Sequence, residues 1–369
     1  MQEQKTNGPL KGLKIVEMAG IGPAPFCGML LADLGAEVTV VERPAALRSL
    51  NTGDALNRGK RSICLDLKTE LGMRAVTALI NQADALIEGY RPGVMERLGL
   101  GPAVFEASNP KLVYGRVTGW GQNGPLAHAA GHDINYVALT GALSVASRAG
   151  QAPSLPATLL GDMAGGALFL ALGLLSALLE SQRSGRGQII DAAMVDGVGC
   201  MSALIHSLRG TGMWPDAPQH NFFLHSSPFY DSFECADGRY VTLGAIEPQF
   251  YAELLQRLDL QDVDPQAQFD TRQWPALRAR VAARIKAKPQ SQWQTLLEGT
   301  DVCFAPVLSL EEAASHPHNL ARGNFSRIDG KLQPSAAPRF SRSQLRPAQA
   351  GTKPGADTEA ILRELGLAS

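Results

Sequence analysis

Along the first half of the chain, short apolar runs alternate with longer stretches in which apolar positions recur every three or four residues. Such runs are typical of strands buried in a parallel sheet, and the longer stretches are typical of helices. We predict helices at 24–34 and 71–82, and strands at 13–18, 37–41, 62–65, 85–88, 112–117 and 188–191. This alternation predicts an α/β fold with a doubly wound, Rossmann-like sheet that carries helices on both faces.

The pattern changes near residue 210, which indicates a second, smaller α+β domain. A hairpin is predicted where runs at 229–233 and 240–243 flank Asp237-Gly238. Further predicted elements are helices at 193–209, 249–258, 274–286, 290–298 and 357–365, linkers at 210–227, and an extended connection at 317–353. We therefore predict a large domain at 1–190 completed by 330–369, a linker helix and loop at 191–225, a small domain at 226–310 and a return connection at 311–330.

The run from Met163 to Leu179 carries no charge and could be mistaken for a membrane span. It is short for a span and rich in small residues, so we interpret it as a helix buried in a protein core.

Composition narrows the class of protein. Hydrophobic residues make up 45% and charged residues 19%, which excludes a disordered chain. The formal net charge of −1 gives no overall attraction to nucleic acid or to an anionic membrane, and we expect neither as a partner. The five cysteines form no CxxC pair, and the first residues lack an apolar signal segment. We expect a cytoplasmic protein without disulfides, and no metal site.

The turn Gly20-Ile21-Gly22-Pro23-Ala24-Pro25 follows the first strand, as a dinucleotide-binding fingerprint would. Pro25 replaces the third glycine, which that fingerprint needs for close packing of helix on strand. The two prolines are better explained as the start of a helix, so NAD binding is disfavoured.

Three acid–base residues have unusual local settings. His132 lies between a glycine and a predicted helix, and Glu247 follows a strand and precedes a helix-starting proline. Asp162 precedes the apolar helix and small residues, which would let a ligand approach free backbone amides. Taken singly, each has an ordinary structural explanation: a satisfied histidine, a helix cap and a turn residue.

The strings Gly131-His132-Asp133-Ile134-Asn135-Tyr136, Gly161-Asp162 and Gly244-Ala245-Ile246-Glu247-Pro248 resemble those of the α-methylacyl-CoA racemases, within the family III CoA-transferase (CaiB/BaiF) group. The likeness runs from Leu10 to Arg342, and the spacing of the three acid–base residues also matches.

The resemblance implies a 1,1-proton transfer beside a CoA thioester. His132 and Asp162 would be the two bases on opposite faces of the carbon, and Glu247 would orient His132. Backbone amides of Asp162 and Met163 are candidates to stabilise the enolate oxygen. No cofactor is implied, since coenzyme A is part of the substrate. The family's fold adds an interlocked homodimer, in which Glu247 would approach His132 of the other chain.

By the same resemblance, a set of residues would line the CoA site. They are Arg43, Leu65, Asp66, Leu67, Lys68, Gly89, Tyr90, Arg91, Arg97, Gly131, Asp133, Ile134, Asn135 and Tyr136. Contact of Arg58, Lys60 and Arg61 with CoA stays open, because a solvated basic surface explains them equally well.

Two alternatives remain. A family III CoA-transferase would use Asp162 as a nucleophile that forms an acyl anhydride, but it would need neither His132 nor Glu247. A non-catalytic CoA-binding protein would have no use for three acid–base residues. The sequence does not reveal which acyl chain is bound.

Overall fold

The computed structural model describes residues 8–44, 55–146, 148 and 150–368, which fall into two compact units. The first unit comprises 1–142, 155–201 and 314–369, and the second comprises 143–154 and 202–313. The predicted large domain of 1–190 was wrong at 143–154. Arg148 in that segment donates two hydrogen bonds, of 2.8 and 2.5 Å, to the buried carboxylate of Asp231 and so ties the segment to the second unit.

The first unit is built on a parallel six-stranded sheet in the order β3-β2-β1-β4-β5-β6. Its strands are β1 Lys14–Met18, β2 Glu37–Glu42, β3 Arg61–Cys64, β4 Ala85–Glu88, β5 Val113–Thr118 and β6 Ile189–Ala193. This order confirms the predicted doubly wound fold. It reverses between β1 and β4, and ligands of such sheets bind in the crevice outside the carboxyl ends of the strands at this point.

The helices of the two units are numbered together in chain order. They are α1 Pro23–Asp33, α2 Glu70–Asn81, α3 Val94–Arg97, α4 Asp133–Leu139, α5 Phe169–Ser184, α6 Met194–Met201, α7 Ala203–Gly210, α8 Pro248–Arg257, α9 Trp274–Lys286, α10 Gln290–Leu297, α11 Leu310–Ser315, α12 Pro317–Arg322 and α13 Thr358–Glu364. The predicted start of α1 is confirmed, with prolines in its first turn and Gly22 before it at a φ of 71°.

The long apolar segment was predicted to be buried in the core, but only one of its faces is buried. It is a π-helix, Leu159–Leu168, that continues directly into α5, and by length and composition alone it could also cross a membrane. One face, including Leu170 and Leu174, packs in the core against β4 and β5. Leu168, Leu172 and Leu179 on the other face are exposed, so the segment is a core helix on one side only.

The second unit contains an antiparallel sheet of β7 Tyr230–Glu234, β8 Tyr240–Gly244 and β9 Phe304–Pro306. The predicted hairpin is confirmed, with Gly238 of its turn at a φ of 77°. Helices α8, α9 and α10 begin and end within a residue or two of their predicted positions. Their aromatic core includes Phe229, Tyr251, Trp274 and Trp293.

Two local predictions were wrong. The predicted helix 193–209 is interrupted at Ser202, where the chain passes from the first unit to the second. The predicted extended connection 317–353 contains α12 and a hairpin of β10 Phe325–Ile328 and β11 Lys331–Pro334. Its turn is Asp329-Gly330, with φ values of 50° and 76°, a pair of residues that tolerates the left-handed backbone of a tight hairpin.

Candidate active site

His132 lies at the start of α4, as predicted. Its backbone is extended, its amide donates a 3.0 Å hydrogen bond to Asn135 Oδ1, and its carbonyl accepts a 2.8 Å bond from the Asn135 amide. This reciprocal pair fixes the direction in which the chain enters the helix. The His132 side chain is exposed, so the imidazole is available to a ligand.

Asp162 lies within the π-helix and is not its cap, contrary to the structural explanation offered from the sequence. The helix begins one turn earlier, after Thr158, which has a φ of 64°. The Met163 amide donates to the Thr158 carbonyl at 3.0 Å, five residues back, which is the wide bonding pattern of a π-helix. Such segments occur frequently at functional sites.

Glycines allow the π-helix to pack closely against its neighbours. A Cβ at Gly197 of α6 would lie 2.0 Å from the Gly165 carbonyl oxygen, a distance that no side chain tolerates. A Cβ at Gly22, in the loop after β1, would lie 3.6 Å from Asp162 Oδ2. The Asp162 carboxyl is therefore next to the crevice at the carboxyl end of β1 and is half-buried there.

A buried carboxylate connects the two candidate bases. Asp133 Oδ1 accepts hydrogen bonds from the amides of Gly161, at 2.7 Å, and Asp162, at 2.8 Å. His132 precedes Asp133 in the chain, so the two segments meet at this point. Burial raises the pKa of the Asp162 carboxyl, the charge of Asp133 raises it further, and the charge of His132 lowers it. The structure thus brings together the segments that carry His132 and Asp162.

The two amides predicted as oxyanion donors already have acceptors in this structure. The Asp162 amide already donates to Asp133 Oδ1, and the Met163 amide donates to the Thr158 carbonyl. Because each amide has one hydrogen, neither is available to a substrate oxygen in this structure. The Asp133 carboxylate accepts from the first amide, and the bonding pattern of the π-helix engages the second. Sequence patterns reveal neither of these contacts.

An aromatic pair lies beside α4. The Trp120 and Tyr136 rings meet edge to face with centroids 4.8 Å apart, and the Tyr136 hydroxyl donates to the Gly131 carbonyl. A Cβ at Gly119 would lie 2.0 Å from the Tyr136 ring, which explains why glycine is needed there. Trp120 also borders an open groove of about 440 Å³ along α4. Trp120 is not among the residues predicted from the sequence to line the CoA site.

The loop after β4 contains three of the predicted CoA contacts. The Tyr90 amide donates to Glu88 Oε2 at 2.7 Å, and its hydroxyl donates to the Ala19 carbonyl at 3.1 Å. The second bond joins this loop to the one after β1, across the point where the strand order reverses. Gly89 and Arg91 on either side are exposed.

An ion cluster supports that loop, in which Glu88 and Arg116 are buried and Glu96 is exposed. Arg116 donates to Glu88 Oε1 at 2.8 Å and to the two oxygens of Glu96 at 2.8 and 3.2 Å. Glu96 lies on α3, which also carries the exposed Arg97. Glu88 and Arg116 could not be recognised as positioning groups from the sequence, because their pairing depends on the register of β4 with β5.

The basic residues fall into two groups. Arg43, Lys68, Arg91 and Arg97 are exposed. Arg43 lies close enough to Tyr90, and Arg91 close enough to Tyr136, to lower the pKa of each phenol against the larger effect of burial. These four cations belong to loops or short helices at the carboxyl edge of the sheet, where an anionic ligand would meet them.

The open question about Arg58, Lys60 and Arg61 has a structural answer. Arg58 is buried and donates to Asp33 and to the Pro334 carbonyl, and Lys60 is buried against Glu17 and the Pro25 carbonyl. Arg61 forms a bidentate pair with Glu364 on the surface. The first two cations are thus structural groups of the sheet.

Other predicted CoA contacts have local structural roles. Leu65 packs in the core, and Asp66 Oδ1 accepts from the Lys68 amide in the turn before α2. Leu67 packs against the same core, and Ile134 is exposed.

Among the described residues, no group of three or more His, Cys, Asp or Glu side chains is placed to hold a metal ion.

Glu247 belongs to the second unit, where it directly precedes α8 as predicted. Its carboxylate makes no capping hydrogen bond to the helix and is exposed. Burial raises the pKa of the Cys303 thiol, and the charge of Glu247 contributes to the same rise, so these two side chains are neighbours. The relation of Glu247 to His132 stays a prediction.

Known proteins resemble this chain along almost its whole length. It is 43% identical over 362 residues to "Alpha-methylacyl-CoA racemase" of Mus musculus and 39% identical over 360 residues to that of Homo sapiens, covering 97% of this chain and 93% and 94% of those proteins. A crystal structure of a CAIB/BAIF family protein from Brucella suis superimposes with a TM-score of 0.83 at 27% identity, over 97% of this chain and 100% of that one. The profile of CoA-transferase family III matches residues 10–358. The chain belongs to CoA-transferase family III.

Proposed function

We propose that this protein is an α-methylacyl-CoA racemase, which interconverts the two C2 epimers of 2-methylacyl-CoA thioesters. The observation that carries the proposal is the meeting of His132 with Asp162, tied together through Asp133. The names of the mouse and human relatives support the same activity.

The chemistry requires two acid–base groups. One removes the C2 proton, which leaves an enolate conjugated with the thioester carbonyl, and the other returns a proton to the opposite face. His132 and Asp162 would exchange these roles with the direction of reaction. A positioned base or acid of suitable pKa contributes roughly 10²–10⁴-fold to the rate, and the raised pKa of Asp162 brings it closer to the operating pH.

The enolate oxygen needs stabilisation from groups other than the Asp162 and Met163 amides, which are already bonded. Excluding water from the site would strengthen any donor that meets this oxygen, because hydrogen bonds to a developing charge gain strength in a low dielectric. The CoA phosphates would be met by the exposed cations Arg43, Lys68, Arg91 and Arg97.

A homodimer would complete the site. Leu168 at the end of the π-helix, with Leu172 and Leu179 on α5, forms an exposed apolar stripe of the kind that marks protein interfaces. Glu247, exposed and unused as a helix cap, is free to accept a hydrogen bond from an imidazole of another chain. It would hold the His132 ring and stabilise its cationic form.

A single incubation tests the proposed reaction. One enantiomer of a 2-methylacyl-CoA is kept with the enzyme in heavy water and followed by NMR and chiral analysis. We expect racemisation accompanied by deuterium at C2. Thioester exchange with an added carboxylate, without deuterium uptake, would instead identify the transferase, and binding without either reaction would identify a non-catalytic CoA-binding protein.

A further inference from the structure

Asp133 stands out as a carboxylate with no assigned part in the chemistry. The resemblance made it a contact of CoA, yet its side chain is buried, with 8% of the residue exposed. Its Oδ1 atom is directed at the amides of Gly161 and Asp162, at 2.7 and 2.8 Å. A charged acceptor makes each of these bonds roughly twice as strong as a neutral one.

The contact leaves no room for adjustment. A Cβ at Gly161 would lie 2.6 Å from Asp133 Oδ1 and 3.1 Å from the Asp133 carbonyl oxygen, so any side chain at 161 would push the two segments apart. His132 is adjacent to Asp133 in sequence, and Asp162 is adjacent to Gly161. A shift at this contact therefore changes the separation of the two proposed bases.

The same carboxylate also acts by its charge. Three titratable groups at the start of α4 interact electrostatically with the Asp162 carboxyl, namely His132, Asp133 and Tyr136. From the loop after β1, the uncharged Gly22 faces the carboxyl, since a Cβ there would lie 3.6 Å from Asp162 Oδ2, and α6 packs against the π-helix through Gly197 and Val198. Of the α4 groups, Asp133 raises the pKa of Asp162 and His132 lowers it.

We propose that Asp133 is a positioning residue for the proton transfer, because its carboxylate holds the backbone of Asp162 beside the segment of His132. Its negative charge also disfavours a second charge on Asp162. Asp162 is thereby held in place and made a stronger base when it is ionised. The inference rests on the proposed racemase function, because it concerns the two bases of that reaction.

Two substitutions separate position from charge. Asp133→Asn keeps an oxygen for the two amides and removes the charge, whereas Asp133→Ala removes both. We expect kcat to fall by about 10-fold in Asp133→Asn and by about 100-fold in Asp133→Ala, with KM within twofold of the wild type. In the direction that uses Asp162 as base, activity is lost as the pH falls through its pKa, so Asp133→Asn should move this limb to lower pH.

A matched control removes the same charge elsewhere. Asp329 lies in the exposed β10–β11 turn of the same unit at a φ of 50°, a conformation that asparagine also adopts. Asp329→Asn should leave kcat and the pH profile unchanged. Circular dichroism and thermal melting establish that each variant is folded, and Asp133→Asn keeps the test possible if Asp133→Ala does not fold.

A second readout does not need activity. The ¹³C carboxyl signal of Asp162, identified by its absence in Asp162→Asn, should titrate at lower pH in Asp133→Asn than in the wild type. Either of two outcomes would overturn the proposal: an unchanged titration with an unchanged rate, or a raised KM with normal kcat, which would make Asp133 a CoA contact. If the wild type exchanges no C2 proton, the proposed function fails, whereas the carboxyl titration still tests the effect of Asp133.

Discussion

At the scale of single residues, the proposed chemistry depends on carboxylates in contrasting surroundings. Glu247 is exposed, Asp162 is half-buried with a raised pKa, and Asp133 is buried with its charge directed at two amides. In the proposed mechanism the same functional group serves as the acceptor for an imidazole in Glu247, as a base in Asp162 and as a positioning charge in Asp133. Environments that separate the pKa values of neighbouring titratable groups are typical of acid–base catalysis.

Substitution of the two proposed bases distinguishes the racemase from a transferase at this scale. We expect Asp162→Asn to abolish turnover in either case, since the residue is a base in one and a nucleophile in the other. His132→Ala should reduce racemisation by at least 10²-fold, because one face of the carbon loses its acid–base group. Measured rates of deuterium uptake and of thioester exchange provide the comparison.

His128 is a suitable control for that experiment, since it lies in the loop before α4 and has no assigned role. His128→Ala should leave both rates near the wild-type values. A His132→Ala enzyme that racemises normally would contradict the two-base mechanism, and one that exchanges thioesters rapidly would favour the transferase.

At the scale of elements, the loops at the carboxyl ends of β1 and β4 are held by groups that a ligand does not need to touch. Glu88 accepts from the Tyr90 amide and from Arg116, and Arg116 in turn holds Glu96 of α3. Burial raises the pKa of Glu88, and its hydrogen bonds with Tyr90 and Arg116 act in the opposite direction. The candidate CoA contacts Gly89, Arg91 and Arg97 are thereby attached to the sheet.

Weakening this support should affect binding more than chemistry. In Glu88→Gln, Arg116 loses a charged partner and the Tyr90 loop loosens, so we expect KM for acyl-CoA to rise by roughly 10-fold, the equivalent of about 1.4 kcal/mol. The value of kcat should stay within twofold. Steady-state kinetics on Glu88→Gln and on the exposed control Glu106→Gln provide the test, and a fall in kcat alone would contradict this role.

At the scale of the whole molecule, α5 has one face in the core and one face with exposed leucines. Exposed apolar stripes of this kind on a helix are unfavourable in water unless another surface covers them. If a second copy covers this one, stability and activity both depend on protein concentration.

Leu172→Glu should therefore dissociate the proposed dimer and reduce activity, because a charge replaces a leucine that is 62% exposed in the single chain. The control is Leu320→Glu on α12, where the leucine is 63% exposed outside the stripe. Analytical ultracentrifugation reports the mass of each variant. A wild-type protein that is monomeric and fully active would rule out the dimer and the role of Glu247 in it.

Some features follow from the sequence alone because their causes are local. Apolar spacing marks a strand or a helix within a few residues, and Pro23 with Pro25 can begin a helix whatever its surroundings. The Asp237-Gly238 turn determines its hairpin in the same way. The alternation of these elements then permits few folds other than a doubly wound sheet. The strings around His132, Asp162 and Glu247 predict these three residues as the acid–base groups.

Only the tertiary structure decided what those residues contact. Arg58 reaches the Pro334 carbonyl far along the chain, so a cation that sequence left open as a CoA ligand is a core group. Asp133 occupies an amide that sequence assigned to the substrate. A charged group or hydrogen-bond donor pairs with the group that tertiary packing places next to it, and burial removes water as a competing partner. Because that neighbour can come from any part of the chain, the local sequence pattern does not predict it.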